Sequence, residues 1–225
     1  HIVTGSVTSA QNIIKCCNQS GLDVEDIVLE PLSSSQAVLS PDEQEVGVVL
    51  VDIGGGTTDV TIYSEGSIVH TAVLALGGNH LTHDIAIGLG APLHEAEEIK
   101  HNFGVAMTSM VKEDEMIEVP SVGGRNNRTM KKRVLASIIE DRFREIFELI
   151  AHEIEKTHFH TLMASGVVIT GGTCIMPGAD QLASQVLNLP VRVGFPENIS
   201  GLREMVYSPK YATSVGLVRY GITSN

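Results

Sequence analysis

Cysteine is scarce in this sequence: there are three, two of them the neighbours Cys16 and Cys17. This number gives no disulfide framework and favours a reducing, cytoplasmic setting. Long apolar runs are missing as well, since none approaches the roughly 18 residues of a transmembrane helix, and no signal peptide is visible. Basic residues are outnumbered, 15 Lys and Arg against 27 Asp and Glu. The net charge of −12 argues against general binding to nucleic acid or to an anionic membrane surface.

The rest of the composition is that of an ordinary globular protein. The 225 residues are 43% hydrophobic and 19% charged, which argues against disorder and provides a sizeable core for one or two domains. The chain begins at His1 and not at Met, so we expect it to be part of a longer protein.

The stretch VVLVDIGGGTTDVTI at 48–62 carries the clearest functional signal. An apolar run ends at Asp52, and a second run with alternating apolar residues follows the glycines, which predicts strand, tight turn and strand. The turn consists of Gly54, Gly55, Gly56 and Thr57. Because no Cβ stands in the way, an anionic oxygen such as that of a phosphate can accept from several backbone N–H groups there.

Two carboxylates, Asp52 and Asp59, flank this turn. They would repel a phosphate unless a hydrated Mg²⁺ lies between them and the ligand, so the motif predicts a metal nucleotide. A P-loop or a dinucleotide fingerprint needs a helix directly after its glycines, whereas residues 57–74 are typical of a hairpin with a turn at Glu65 and Gly66. A purely structural hairpin loop is the alternative that a glycine triplet leaves open.

A second glycine pair repeats this arrangement further along the chain. The apolar strand predicted at 166–170 ends in Gly171 and Gly172, and no Lys or Asp stands nearby in the sequence. Backbone that lies flat against a ligand in an uncharged setting would suit the face of an adenine.

A predicted helix that ends at Phe103 carries three polar side chains on one face. Glu97 and Lys100 are three residues apart, with His101 close by, and this spacing allows them to hydrogen-bond the edge of a ribose. An exposed helical ion pair is the alternative.

The charge reverses sign over residues 125–144. Seven basic residues fall there: Arg125, Arg128, Lys131, Lys132, Arg133, Arg142 and Arg144. On an acidic protein this reversal suits a docking surface for an acidic partner segment, and a solvated helix face is the alternative. A long amphipathic helix is predicted from about Thr129 to Thr157, with Val134, Ile138, Phe143 and Phe147 near its apolar stripe.

Two helices rich in small residues are predicted near the ends of the chain. One contains Ser33 to Ala37 and the other contains Ala212 and Gly216. Small side chains allow close approach of helices, so we expect these two to cross. A short strand is predicted at 27–30.

Taken together, the order of motifs resembles the actin, Hsp70 and sugar kinase ATPase superfamily. The motifs are LEPLSSSQAVL at 29–39, VDIGGGTTD at 51–59, VVITGGTCIMPGADQLA at 167–183 and YATSVGLVRYG at 211–221. They are similar to its first connecting helix, second phosphate motif, adenosine motif and second connecting helix. HIVTGSVTSAQNIIKCCNQSGLDVEDIVLEPL, EVPSVGGR and ATSVGLVRYG most resemble the FtsA family of bacterial cell-division proteins, over essentially the whole chain.

This resemblance implies an α/β fold: an actin-like, ribonuclease H-like ATPase lobe with a mixed five-stranded sheet flanked by helices and a smaller inserted α+β subdomain. The chain would be the C-terminal part of such a protein, because the superfamily's first phosphate hairpin is not found in it. It departs from the family in that the C-terminal membrane helix is not found either. The implied units are the tail of an extra subdomain (1–28), connecting helices (29–42 and 206–225), the lobe core (43–90 and 161–205) and the inserted subdomain (91–160).

The resemblance also implies roles for individual residues, with ATP and Mg²⁺ as cofactors. Asp52 would hold the hydrated metal and is the catalytic candidate, with Asp59 acting on the metal through water. The β- and γ-phosphates would be bound by Gly54, Gly55, Gly56 and Thr57. The ribose and adenine would be bound by Glu97, Lys100 and His101, and Gly171 and Gly172 would face the adenosine.

The implied partner is the C-terminal tail of the tubulin-like FtsZ, received by Arg128, Arg142 and Glu145. The family further implies actin-like filaments, at most slow ATP hydrolysis, and a place on the cytoplasmic face of the inner membrane at the division septum. It implies no nucleic acid. A sugar or acetate kinase, or an Hsp70-type chaperone ATPase, is the alternative on the same fold, although neither a kinase general base nor a peptide-binding domain is found in the sequence.

Overall fold

The computed structural model describes residues 4–121, 126–157, 164–201 and 203–223. Its strands are β1 (Val48–Ile53), β2 (Thr58–Ser64), β3 (Ser67–Leu74), β4 (Met116–Val119), β5 (Arg128–Lys131), β6 (Val167–Thr170) and β7 (Val191–Val193). Its α-helices are α1 (Val7–Gln19), α2 (Glu30–Val38), α3 (Pro41–Val46), α4 (Gly78–Leu89), α5 (Leu93–Phe103), α6 (Lys132–Lys156), α7 (Ala179–Leu187), α8 (Arg203–Val206) and α9 (Ala212–Thr223).

The main sheet has five strands in the order β3-β2-β1-β6-β7. The first three form an antiparallel meander, and β1, β6 and β7 run parallel to one another. Strands β4 and β5 form a separate antiparallel pair. The predicted mixed five-stranded sheet is therefore confirmed, and the carboxyl ends of β1 and β6 lie side by side at one edge.

Helices cover both faces of this sheet, and β1 shows why. Every residue of β1 is buried, as expected for a central strand with two covered faces. Alternate residues, such as Val49 and Val51, join the large core with α4, α5, α6 and α7. Val48 and Leu50 point the other way, into a smaller core with α2 and α9. The two cores hold the central strand in a fixed position, and with it the turn that follows.

Helices α2 and α9 pack against each other, as their small residues predict. A Cβ on Gly216 would lie 1.8 Å from the carbonyl oxygen of Ser33, so only glycine fits at this contact. The hydroxyl of Ser33 donates to the carbonyl oxygen of Thr213 at 2.8 Å. The small side chains let one backbone contact the other directly.

Several predicted boundaries were wrong near the helix starts. The strand expected at 27–30 does not form; instead, α2 begins at Glu30, with Pro31 in its first turn. The sequence reading also missed α3, although Ser40 and Glu43 form a capping box at its start.

The long helix α6 begins three residues later than expected, because β5 precedes it. Residues 128–131 pair with β4, so cross-strand hydrogen bonding overrides the helical pattern there. The buried stripe of α6 is also rotated from the predicted one: Val134 is exposed, whereas Leu135 and Ile139 are fully buried with Phe143 and Phe147. Among the described residues, no helix is long and apolar enough to cross a lipid bilayer.

Candidate functional site

The glycine turn after β1 is held by its carbonyl groups. The N–H of Gly78 donates to Gly54 O at 2.9 Å, and that of Asn79 donates to Gly55 O at 2.8 Å. The Thr173 hydroxyl also donates to Gly54 O, at 2.9 Å. The start of α4 thus fixes the turn from one side, while Gly55, Gly56 and Thr57 remain exposed on the other. A Cβ added to Gly56 would meet nothing within 4 Å.

This turn opens onto a cleft of about 570 Å³. The cleft is lined by Gly55, Gly78, Asn79, Glu97, Lys100, His101, Gly104, Gly172, Thr173, Ile175, Met176, Pro177 and Lys210. Five predicted site residues are among these thirteen. The cleft lies where β1 and β6 end, which is the edge at which open α/β sheets hold their ligands.

The predicted ribose group is partly buried: the Lys100 side chain is 10% exposed, whereas those of Glu97 and His101 are 40% and 68% exposed. The Nζ of Lys100 donates to Gly78 O at 3.1 Å, to Thr82 Oγ1 at 2.8 Å and to Glu97 Oε2 at 2.7 Å. These three acceptors use all the donors of its ammonium. Burial alone would raise the pKa of Glu97, but hydrogen bonds from Lys100 and Thr82 bring it below the ordinary value. Lys100 therefore orients Glu97 towards the cleft, with His101 Nε2 3.0 Å from its other oxygen.

The two predicted metal carboxylates are cross-strand partners. Asp52 on β1 lies opposite Asp59 on β2, and they are 5% and 8% exposed. The Ser34 hydroxyl of α2 donates to Asp52 Oδ2 at 2.7 Å. Burial raises the pKa of both carboxyls above the ordinary value, and the charge of Asp52 raises that of Asp59 further.

The sequence reading missed a third carboxylate, that of Glu30. Burial raises its pKa, and the negative charges of Asp52 and Asp59 add to this effect. A signal for it was present, because Glu30 and Ser34 are four apart on α2 and so share a helix face. Once Ser34 contacts Asp52, Glu30 must lie near the same carboxylate.

These acidic residues fit a magnesium ion that shares its ligands with a nucleotide. Among the described residues, no group of three or more His, Cys, Asp or Glu side chains has the geometry to hold a metal alone. Mg²⁺ prefers one or two carboxylates together with phosphate oxygens and water. Asp52 and Asp59 supply hard oxygen donors of this type beside the glycine turn.

The surroundings of the second glycine pair differ from the uncharged setting predicted. Gly171 has φ +89°, and a Cβ there would lie 2.4 Å from Asp52 Oδ1 and 2.5 Å from Ile53 O. Lys210 stands beside Gly172, with its Cβ 3.7 Å from the position of an added Cβ. The prediction was wrong because it considered neighbours in sequence, whereas the parallel pairing of β1 with β6 brings in Asp52.

The predicted docking residues lie away from the cleft, on α6 and β5. Arg142 donates to Asp84 of α4 through Nε at 2.5 Å and Nη2 at 3.0 Å, and it also pairs with Glu145. The hydrogen bonds to Asp84 raise the pKa of Arg142. These three residues border a depression of about 250 Å³, whereas Arg128 lies on β5, near Gly90. Arg125 is outside the described residues.

Comparison with known proteins gives the family. A sequence model of "Cell division protein FtsA" matches residues 49–216, about three quarters of the chain. The chain belongs to the FtsA family. It is 46% identical to FtsA of Pseudomonas aeruginosa over 99% of its length, and 41% identical to FtsA of Escherichia coli over 100%. It spans 53% and 55% of these two proteins, about half the length of the FtsA relatives that it matches.

Solved structures give the fold of this chain. MreB5 of Spiroplasma citri bound to ADP is similar with a TM-score of 0.77, 19% identity, and coverage of 98% of this chain and 67% of that one. The same protein bound to AMPPNP is similar with a TM-score of 0.76 and 20% identity, and the match covers 98% of this chain and 66% of that one. The MamK double helical filament is similar with a TM-score of 0.71 and 15% identity, and the match covers 97% of this chain and 66% of that one. The fold is that of the actin-like ATPases, as the resemblance implied.

Proposed function

We propose that the full-length protein binds Mg-ATP in this cleft and acts in cell division as an actin-like adaptor, with at most slow hydrolysis. The observation that carries the proposal is the glycine turn. Its carbonyl groups are occupied by α4 and Thr173, while Gly55 faces the cleft and Gly56 faces open space. Such a turn leaves backbone N–H groups for a phosphate.

The other cleft walls suit the rest of a nucleotide. Glu97 is oriented by Lys100, and its carboxylate can accept hydrogen bonds from ribose hydroxyls. Ile175, Met176 and Pro177 provide an apolar border for a purine base. The similar MreB5 structures are bound to ADP and AMPPNP, which supports an adenine nucleotide over other phosphate compounds.

Asp52 and Asp59 are the residues that would hold the magnesium. The ion, when bound, would supply positive charge to the phosphate oxygens. Ser34 fixes one oxygen of Asp52 by a hydrogen bond at 2.7 Å, so this carboxylate is oriented before any ligand arrives. Glu30 is close enough to these two carboxylates for their charges to raise its pKa, and it is a candidate to orient water beside the phosphates.

Asp52→Ala in the full-length protein tests this assignment. We expect Mg-ATP affinity to fall at least about tenfold, because the variant loses a metal carboxylate that Ser34 orients. Isothermal titration calorimetry measures the change. Thr71→Ala, on edge strand β3 and outside the cleft lining, is the control and should leave the affinity unchanged. Equal affinity in wild type and Asp52→Ala would refute the metal site.

The partner we propose is the C-terminal tail of FtsZ, docked on the α6 surface around Arg142 and Glu145. The depression there combines the guanidinium of Arg142 with the carboxylates of Asp84, Asp141 and Glu145 next to Ile138, a mixture suited to a peptide that carries both charged and apolar residues. Arg128, which lies on β5 near Gly90, is the third residue that we propose for this contact. Pairing with Asp84 holds Arg142 in a fixed orientation, so its docking geometry is preset.

Assembly and location complete the proposal. The MamK filament has the same fold, which supports self-association of the full-length protein into actin-like filaments. We place the protein at the cytoplasmic face of the inner membrane at the septum, where FtsZ tails are available.

A further inference from the structure

The first turn of α4 carries a side chain that the proposed site leaves without a role, that of His80. It is half-buried and is not among the described residues that line the cleft. The N–H of Gly77 donates to His80 Nδ1 at 3.2 Å, and the N–H of His80 donates back to Gly77 O at 3.0 Å. In a capping box, a Glu or Gln side chain at this helical position accepts from the same N–H. Here an imidazole takes that part.

Gly77 is the residue through which His80 reaches the glycine turn. A Cβ added to Gly77 would lie 2.6 Å from Gly54 O and 2.8 Å from Gly55 O, so the two backbones are in direct contact. The next two N–H groups of the chain donate to these same carbonyl oxygens. The orientation of Gly77 therefore sets the position of the donors that hold the turn.

The hydrogen bond from Gly77 fixes the protonation state that His80 must have. A backbone N–H is only a donor, so Nδ1 must present a lone pair, and the ring must be the neutral imidazole with its proton on Nε2. An imidazolium carries a proton on both nitrogens. It would leave the N–H of Gly77, a buried residue, without its acceptor. Imidazoles gain this second proton between about pH 8 and pH 5, so acid removes the acceptor.

The charged groups on the helices that pack around α4 are engaged with one another. Helix α4 packs against α5 and α6. Arg142 of α6 pairs with Asp84 of α4 and with Glu145, and Lys100 of α5 pairs with Glu97. His83, Glu98 and Glu148 of these helices are exposed. Among the described residues, the imidazoles with a carboxylate oxygen within 4.0 Å are those of His70, His94 and His101. His80 thus has no such partner there to favour its charged form.

We propose that the neutral imidazole of His80 positions the phosphate-binding turn through Gly77, and that acidification weakens nucleotide binding by removing this acceptor. The inference rests on the proposed nucleotide site and adds regulation by pH to it. His80 is a positioning residue, because it acts through the backbone of Gly77 and not by contact with the ligand. A turn that is held only part of the time binds with an affinity reduced by that fraction.

Titration of the full-length protein with Mg-ATP at about pH 8 tests the positioning role. His80→Leu has no acceptor, so the affinity should fall about two- to tenfold, the range for one hydrogen bond. His80→Gln should keep wild-type affinity, because its side-chain oxygen can accept from Gly77. Adenosine does not reach the turn, and its affinity should be equal in all three proteins. His94→Leu, an exposed residue of α5 outside the cleft lining, is the control and should behave as wild type.

The pH profile separates this role from a merely structural one. At about pH 5.5, wild type should lose its advantage over His80→Leu, whereas His80→Gln should keep it, because an amide does not titrate there. Comparing the three proteins at each pH cancels the protonation of the nucleotide and of other cleft groups such as His101.

The possible failures are distinguishable. If wild type binds Mg-ATP and folded His80→Leu binds it equally well at about pH 8, the inference is wrong. An equal loss for adenosine and ATP, or a wild-type advantage that persists at about pH 5.5, would also overturn it. If wild type binds no nucleotide at either pH, the proposed site itself fails. Circular dichroism shows whether each variant is folded. Should His80→Leu not fold, the ratio of the wild-type and His80→Gln affinities decides, since it must fall with pH.

Discussion

The cleft and the α6 surface achieve preorganisation by different means. At the cleft, backbone groups do most of the positioning: two N–H groups of α4 hold the glycine turn, and the β6 turn packs against Asp52 with no room for a side chain. On α6, one long side chain, that of Arg142, is held by a neighbouring carboxylate. A site built from backbone contacts tolerates little change in the fold, whereas a site built from an ion pair depends on two replaceable side chains.

The largest change in the free energy of unfolding should come from adding a single methyl group to the cleft wall. Gly171→Ala places a Cβ about 2.4 Å from Asp52 Oδ1, at a φ of +89° that alanine rarely adopts. Overpacking and backbone strain together should lower the free energy of unfolding by about 3 kcal/mol, as measured by urea denaturation.

Gly172→Ala is the control for this change. The nearest atom to its added Cβ is Lys210 Cβ at 3.7 Å, an ordinary contact, so stability should stay within about 0.5 kcal/mol of wild type. If the two variants were equally stable, close backbone packing would not be what builds the cleft wall.

Arg142→Met should have an intermediate effect on stability and a clear one on docking. It leaves Asp84, whose side chain is 28% exposed, without its partner, so the free energy of unfolding should fall by about 1 kcal/mol. Binding of an FtsZ tail peptide, measured by fluorescence anisotropy on the full-length protein, should weaken at least about tenfold. Charge reversal to Glu is a poorer test, because it would add a fourth carboxylate to a depression already lined by Asp84, Asp141 and Glu145.

Arg144→Met is the matched control on the same helix. The Arg144 side chain is 44% exposed and pairs with Glu140 in an i,i+4 arrangement, so its loss should cost no more than about 0.5 kcal/mol. If peptide binding fell with Arg144→Met but not with Arg142→Met, the docking surface would have to be placed elsewhere on α6.

The smallest effect concerns pH. Burial raises the pKa of Asp52, so in the absence of metal the folded protein keeps this proton to higher pH than the unfolded chain does. The stability that the Asp52 carboxyl contributes is fully present below its ordinary pKa of 3.8. It is lost as the pH rises through the raised pKa of the folded state.

Asp52→Asn stays neutral at every pH and can still accept from Ser34. With chelator present and nucleotide absent, its free energy of unfolding near pH 7 should exceed that of wild type by about 0.5 kcal/mol, and this gain should be absent at about pH 3. A gain that persists unchanged at low pH would show that the buried charge is not its source.

The sequence predicts the backbone-built region better than the region built from side chains. The order β1, turn, β2 follows from local signals: an apolar run, three glycines and an alternating strand. The approach of Gly171 to Asp52 depends on the pairing of β1 with β6, between residues more than 100 apart in the chain, so no local pattern contains it. Lys210 enters the cleft for the same reason.

On α6 the basic residues are visible in the sequence, but their partners are not. Arg142 meets Asp84 because α4 packs beside α6, with the side chain of Ile138 filling the space over Gly88. The start of α6 was misplaced because β5 pairs with a strand that ends nine residues earlier. The division into lobe core and inserted subdomain stays a prediction, and one buried cluster includes residues of both, such as Val51 and Phe143.

Titration of full-length Gly55→Ala with Mg-ATP tests the central claim most directly. The nearest protein atom to the added Cβ is Asn79 Oδ1 at 3.5 Å, an ordinary contact, so the fold should accept it. The account predicts a free energy of unfolding within about 0.5 kcal/mol of wild type together with an ATP affinity at least about tenfold lower, because the methyl group would occupy the space proposed for a phosphate. Gly221→Ala, whose added Cβ meets nothing within 4 Å, is the control. Wild-type ATP affinity in a correctly folded Gly55→Ala would contradict the account.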